Sequence, residues 1–175
     1  MSHPTRDALL EAGLQLAEQH SLASISINDI VTQAKVAKGT FYVHFHDRAA
    51  YLVALHQSFH EGIKQKVLSA VQDKEPGFGR LQVGTVIYLD SCLQAKAVKA
   101  LLLEARSEAP IAAEVQRRNA DFAALAHADF EAEGWPHAEA NARLFVAMSA
   151  EAALIELEIG KASPTLRTAL FDFLQ

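Results

Sequence analysis

Cysteine is nearly missing from this sequence: Cys92 stands alone among 175 residues. One thiol excludes an internal disulfide and any zinc site built on paired cysteines, and it fits a cytoplasmic protein. Long apolar runs are missing too. No stretch of 18 apolar residues occurs, so no membrane-spanning helix is expected, and residues 1–10 lack the apolar core of a secretion signal. There is no excess of positive charge: 16 basic residues face 21 acidic ones, a formal net charge of −5. That balance argues against a broadly basic nucleic-acid binder and leaves room only for a small basic face. Internal repeats and low-complexity tracts are absent. So are GxSxG, a P-loop, GxGxxG and any cysteine–histidine nucleophile pattern. The expectation is therefore no enzyme and no cofactor.

What is present is helical periodicity. Half of the residues are hydrophobic, enough for a real core. Leu9, Ala12, Gly13, Leu16 and Ala17 recur at helix spacing, and residues 21–26 interrupt. Ser26 followed by Asp29 has the pattern of a capping box, opening a short helix through Ile27, Ile30, Val31 and Ala34. A third helix carries Lys38, Gly39, Thr40, Phe41 and Tyr42. Asp47 is a good cap for a long fourth helix with the stripe Leu52, Leu55, Phe59, Ile63, Val67 and Ala70, running to about Gln72.

Residues 73–80, with one proline and two glycines, read as a linker. Four or five more helices are expected beyond it, with breaks at residues 107–110, at 134–136 and from Gly160 to Pro164. Ser163 would cap a last helix that begins at Pro164. The fold class is all-α: a three-helix N-terminal module over residues 1–46, and a helical body over residues 47–175 joined to it by the long fourth helix.

The informative segment is residues 26–52. Two short helices close together, packed on a third, make a helix-turn-helix. Val36 would plug the turn, and the second short helix would project its N-terminal side chains outward, toward a major groove. Local charge permits this: Lys35, Lys38 and Arg48 face only Asp47, with His44 and His46 alongside, although residues 1–52 as a whole are near neutral.

The order Ile27, Asp29, Ile30, Ala34, Val36, Lys38, Gly39, Thr40, Phe41, Tyr42, His44 and Phe45, then Asp47 and Arg48, resembles the TetR family of transcriptional regulators. The resemblance covers the first third of the chain. It implies a homodimer that binds double-stranded DNA and answers to a small-molecule effector. It implies DNA contacts from Ser26, Lys38, Gly39, Thr40, Tyr42, His44 and Arg48. Lys38 and Thr40 would reach base edges or phosphates, Tyr42, His44 and Arg48 would hold phosphates, and Gly39 would admit close approach. Phe41 and Phe45 would be core, against Leu16 and Ile30. Two positions depart from the pattern. Lys35 stands where glycine is usual and must take a left-handed backbone. Ala37 stands where Ser or Thr is usual, so a cap is missing.

The resemblance also implies an effector cavity in the C-terminal body. Tyr88, Cys92, Phe122, Phe145 and Met148 are its candidate wall, and a largely hydrophobic ligand with one or two polar groups is expected. The acidic excess after Glu104 leaves a cationic ligand open. For the dimer, the apolar helix over residues 142–159 and Leu166, Leu170 and Phe173 are the candidates. His56 and His60 stand four apart, but without a third ligand the pair reads as a solvated helix face. Glu104, Arg106 and Glu108 read as surface pairs. The alternative function is an all-α enzyme or carrier of small hydrophobic ligands that keeps the fold without DNA binding.

Overall fold

The structure, a computed structural model, describes residues 3–20, 24–95, 98, 103 and 109–175. The described residues form eight helices and no strand: α1 (Pro4–Ala17), α2 (Ile27–Gln33), α3 (Lys38–His44), α4 (Arg48–Val71), α5 (Phe78–Gln94), α6 (Ala109–Ala132), α7 (Ala138–Ile159) and α8 (Pro164–Asp172). The cluster of Glu104, Arg106 and Glu108 and the break at residues 107–108 lie outside them. None of the helices is long and apolar enough to cross a membrane.

The chain divides into two compact units. One holds residues 1–59 and 97–115, the other residues 60–96 and 116–175. The long helix α4 is thus shared, with Arg48–Phe59 in the first unit and His60–Val71 in the second.

In the first unit, α1 starts at Pro4, where a missing N–H costs nothing. It buries Leu9, Leu10, Ala12, Gly13 and Ala17. The core between α1, α3 and α4 is aromatic: Phe41, Phe45 and Tyr51 are all buried, with ring centroids 5.1 to 5.4 Å apart. Asp47 does cap α4, its Oδ1 accepting the Ala50 N–H at 2.8 Å. His56, on the same helix, is buried rather than solvated.

In the second unit, α5 begins at Phe78, so the linker expected to reach Arg80 is shorter. The reason is tertiary. Asp129 Oδ1 accepts the Gly77 N–H and Glu133 Oε1 accepts the Phe78 N–H, both at 2.9 Å. Carboxylates from α6 and the residue just past it satisfy amides that α5 has no local residue to cap. Phe78 then stacks edge-on against Phe130 and Trp135.

Further local signals act as the spacing predicts. Gly134, two residues past the end of α6, takes the left-handed region, with the Trp135 N–H returning to the Phe130 carbonyl. Gly160 closes α7 at φ 77°, and Ser163 caps α8 above Pro164. Glu156 of α7 is fully buried and gripped by the Arg167 guanidinium of α8, through bonds of 2.7 and 2.8 Å. Arg167 also reaches Asp90 of α5 at 2.7 Å. Burial alone would raise the Glu156 carboxyl, but Arg167 and the Ser163 N–H hold it below the usual carboxylate range.

Candidate nucleic-acid interface and internal cavity

The geometry of α2 and α3 is set at three points. Ser26 and Asp29 form a complete capping box: Ser26 Oγ accepts the Asp29 N–H, and Asp29 Oδ2 accepts the Ser26 N–H at 2.8 Å. At the other end of α2, Lys35 adopts φ 58°. Its N–H returns to the Thr32 carbonyl and that of Val36 to the Val31 carbonyl. These two bonds make a Schellman turn with lysine at its left-handed position, as the departure from glycine requires, at a steric cost of about 1 kcal/mol. α3 then starts at Lys38 with no side-chain cap from Ala37.

Helix α3 has two faces. Phe41 faces inward, with Phe45 one turn on at the C-cap, and both are buried. Their shared ring partner is Tyr51. Lys38, Gly39, Tyr42 and Val43 face out, Tyr42 at 51% exposure and Val43 at 77%. Thr40 and His44 lie half-buried at the flanks, His44 against the His3 ring at 4.4 Å. Arg48 is half-buried at the start of α4, beside a small hollow with Ile25 and Tyr51. A β-carbon on Gly39 would meet nothing within 4 Å, so nothing within the described protein calls for glycine there.

The second unit holds a partly open cavity of about 120 Å³. α4 contributes Val67, Leu68 and Val71, α5 contributes Leu81 and Tyr88, α6 contributes Arg118 and Phe122, and α7 contributes Phe145 and Ser149. Tyr88 and Phe122 meet edge-on at 5.8 Å. Gly84 lets α5 approach α4, since a β-carbon there would lie 3.2 Å from Val67 Cγ1. Arg118 is buried, at 4% exposure. Its Nη1 meets His60 Nε2 at 2.9 Å, and its Nε and Nη2 donate to Asn119 Oδ1. His60 is therefore buried too, not on a solvated face. No group of three His, Cys, Asp or Glu side chains among the described residues could hold a metal.

The sequence profile described as "Bacterial regulatory proteins, tetR family" matches residues 9–55, the stretch from the buried face of α1 through α3 into α4. Over those residues the chain is similar to the TetR family. Across 80 residues the chain is 31% identical to the HTH-type transcriptional repressor DhaR of Mycobacterium sp. (strain GP1), covering 45% of this chain and 40% of that protein. The HTH-type transcriptional repressor NemR of Escherichia coli (strain K12) is 29% identical over 76 residues, 43% of this chain and 38% of its own length. Each alignment thus spans less than half of either protein. Likeness of fold extends further. The reduced form of E. coli NemR superposes with a TM-score of 0.72, covering 98% of this chain and 96% of that one at 20% identity. A transcriptional regulator from Rhodococcus sp. Rha1 gives 0.73 over 97% and 93% at 17% identity. The all-α fold is shared with these solved structures.

Against that fold, the expected DNA-side residues fall together with one change of role. Lys38, Gly39, Thr40, Tyr42, His44 and Arg48 all lie on α3 or at the adjoining start of α4. Ser26 does not offer a free donor: its hydroxyl and its N–H both donate to Asp29, so it holds α2. Val43 was not anticipated, because a valine in an amphipathic pattern reads as core, and only its 77% exposure reveals it. Of the expected cavity wall, Tyr88, Phe122 and Phe145 are brought together, and Cys92 and Met148 are not among the lining residues. Cys92 lies on the right face of α5 but one turn too far along. Met148 is turned away from the stripe of Phe145, Val146, Ser149 and Ala150. Arg80, Arg118 and Asn119 line the cavity and were missed, since polar residues in helices read as surface.

Proposed function

We propose that this chain is a DNA-binding regulator of transcription, a repressor that acts in the cytoplasm as a homodimer on double-stranded DNA and lets go when a small molecule enters the cavity. The DNA-reading role belongs to residues 1–46, and ligand binding and dimerisation to residues 47–175. The observation that supports it best is the outward face of α3: a positive charge at Lys38, a glycine with no internal need at residue 39, a phenol at Tyr42 and a bare valine at residue 43. This is a surface without purpose inside the protein and with the donors and apolar groups that base edges and phosphates require.

In the dimer, two α3 helices would enter successive major grooves about 34–36 Å apart, on a near-palindromic operator. α7 supplies a stripe for the second copy: Leu144, Met148, Ile155 and Ile159 lie along one side, next to the buried stripe of Phe145, Ala152 and Glu156. Phe173, just past α8, is also exposed. α4 is the natural lever, one helix with Arg48 at one end and Val67, Leu68 and Val71 on the cavity wall at the other. An effector must bind the DNA-free dimer better than the bound one, and a ratio of about 10², or roughly 2.7 kcal/mol, is within reach of one small ligand.

The test is operator selection from random duplexes followed by anisotropy titration. Gly39→Ala should leave stability unchanged or raise it by up to about 1 kcal/mol, since alanine favours helix, while weakening DNA binding. A wild-type dimer that selects no sequence, or a Gly39→Ala protein that binds as well as wild type, would sink the reading.

A further inference from the structure

Both cations on the cavity wall are engaged by the protein itself. Arg80 Nε lies 2.6 Å from Asp129 Oδ1. Arg118 donates through Nε and Nη2 to Asn119 Oδ1, and its Nη1 meets His60 Nε2 at 2.9 Å. No carboxylate is among the described residues that line the cavity. An anion beside Arg80 would therefore meet the Asp129 carboxylate as well. A cation would face two guanidinium groups with no counter-charge on the wall. Burying an ion without a partner of its own is costly, so the wall suits an uncharged ligand.

Two buried hydroxyls also line the cavity, Thr85 on α5 and Ser149 on α7. Each gives its proton to its own helix: Thr85 to the Leu81 carbonyl at 2.8 Å, and Ser149 to the Phe145 carbonyl at 2.9 Å. A hydroxyl has one proton and two lone pairs, so both oxygens are left as acceptors. A ligand O–H can donate to such an oxygen. A methyl ether of the same frame cannot, and sets lone pair against lone pair. Around these oxygens the wall is apolar, with Leu81, Phe122, Leu125, Phe145 and Val146. We infer that the cavity takes an uncharged, largely apolar ligand that donates a hydrogen bond, as an alcohol or phenol does, to the Thr85 or Ser149 oxygen. This rests on reading the cavity as the effector site, and it replaces the cationic ligand that the overall acidity left open. Since the cavity is partly open, charge and donor define the ligand, not its length.

The experiment uses probes of two lengths. One set is phenol, anisole, benzoate and benzylamine; the other is 1-naphthol, 1-methoxynaphthalene, 1-naphthoate and 1-naphthylmethylamine. Affinity is read by calorimetry on the full chain at neutral pH, where the phenols are protonated. Release of the selected operator is followed in parallel by anisotropy. In at least one set the hydroxyl compound is expected to bind about threefold or more tightly than its ether, the worth of one hydrogen bond, and more tightly than either ion. Thr85→Val combined with Ser149→Ala should erase the difference between hydroxyl and ether while changing the affinity of the ether less than about twofold. If the double variant does not fold, each single variant, expected to lose part of the difference, decides. An ether that matches its hydroxyl partner in both sets, an ion that binds tightest, binding by no probe, or a hydroxyl preference that survives both substitutions overturns the assignment. Hydroxyl binding that depends on these oxygens but leaves operator affinity unchanged upholds the ligand class and overturns the effector reading instead. Operator release by an ion that outcompetes the hydroxyl compound does the reverse.

Discussion

The phenol of Tyr51 occupies the space that a β-carbon on Gly13 would need, and its hydroxyl donates to the Leu9 carbonyl at 2.9 Å. The glycine and the tyrosine are thus one device that lets α1 lie against α4. Burial pushes the phenol's pKa up, so it stays protonated and donating. Gly13→Ala should destabilise by about 2 kcal/mol, the overpacking cost exceeding the gain in helix propensity. Tyr51→Phe alone should cost about 1 kcal/mol for the missing hydrogen bond. Together they should cost less than the sum, because removing the hydroxyl relieves the clash. Urea unfolding of the four proteins gives the coupling, and strict additivity would refute the shared role.

Two caps make α2 and α4 sensitive to acid. The Ser26 side chain, then its N–H, hold the Asp29 carboxyl below its ordinary range. The Ala50 N–H, then His46, do so for Asp47. A folded-state pKa below the unfolded one adds stability above the ordinary carboxylate value of about 3.9, and that gain is lost as pH falls through the folded value. Asp29→Ala and Asp47→Ala should therefore lower Tm at pH 7 and converge on wild type as the pH is taken below about 4. A Tm gap that persisted undiminished in acid would show that the carboxylates stabilise by something other than their charge.

Val43 makes a prediction about DNA chemistry. If it packs on a thymine methyl, replacing that thymine by uracil in the selected operator should cost about 0.8 kcal/mol, or roughly fourfold. Val43→Ala should bind both operators nearly alike. Arg48→Ala should instead weaken binding to all sequences and flatten the salt dependence, by about 0.9 in slope for each phosphate it no longer neutralises. Equal weakening on uracil substitution in wild type and variant at every thymine would remove Val43 from base reading.

The stripe on α7 predicts the oligomer. Leu144→Glu and Ile159→Glu replace side chains that are 63% and 49% exposed in the single chain, so neither should disturb folding. Each should shift sedimentation from dimer to monomer and abolish operator binding. Ala150 is less suitable for this purpose because it lines the cavity. Dimers that survive both substitutions would place the interface elsewhere.

What could be read from sequence follows from the range of the forces. The box of Ser26 and Asp29, the Asp47 cap, the left-handed Lys35 and the Ser163–Pro164 start are all decided within a few residues, and each was legible. The family pattern over residues 27–48 carried the outward face of α3 for the same reason. The start of α5 was not, because its caps come from Asp129 and Glu133, 52 and 55 residues away. Neither was the cavity wall in full. Whether Met148 or Ser149 faces inward is a matter of about 100° of helix rotation, fixed by packing between helices. Arg118 and His60 are polar residues whose burial depends on each other, so neither announces itself alone.

The capping of α5 from across space has an engineering consequence. Because Asp129 and Glu133 hold the first amides of that helix, its starting point does not depend on the residues just before it. Residues 73–75 are exposed and lie between α4 and that anchored start. A flexible peptide spliced in there should change loop-closure entropy by about 0.6 kcal/mol per doubling of length, leaving α5 in register. The connection between the two helices is thus a place where this chain can accept foreign sequence, a reporter or a cleavage site, without renegotiating the body it leads into.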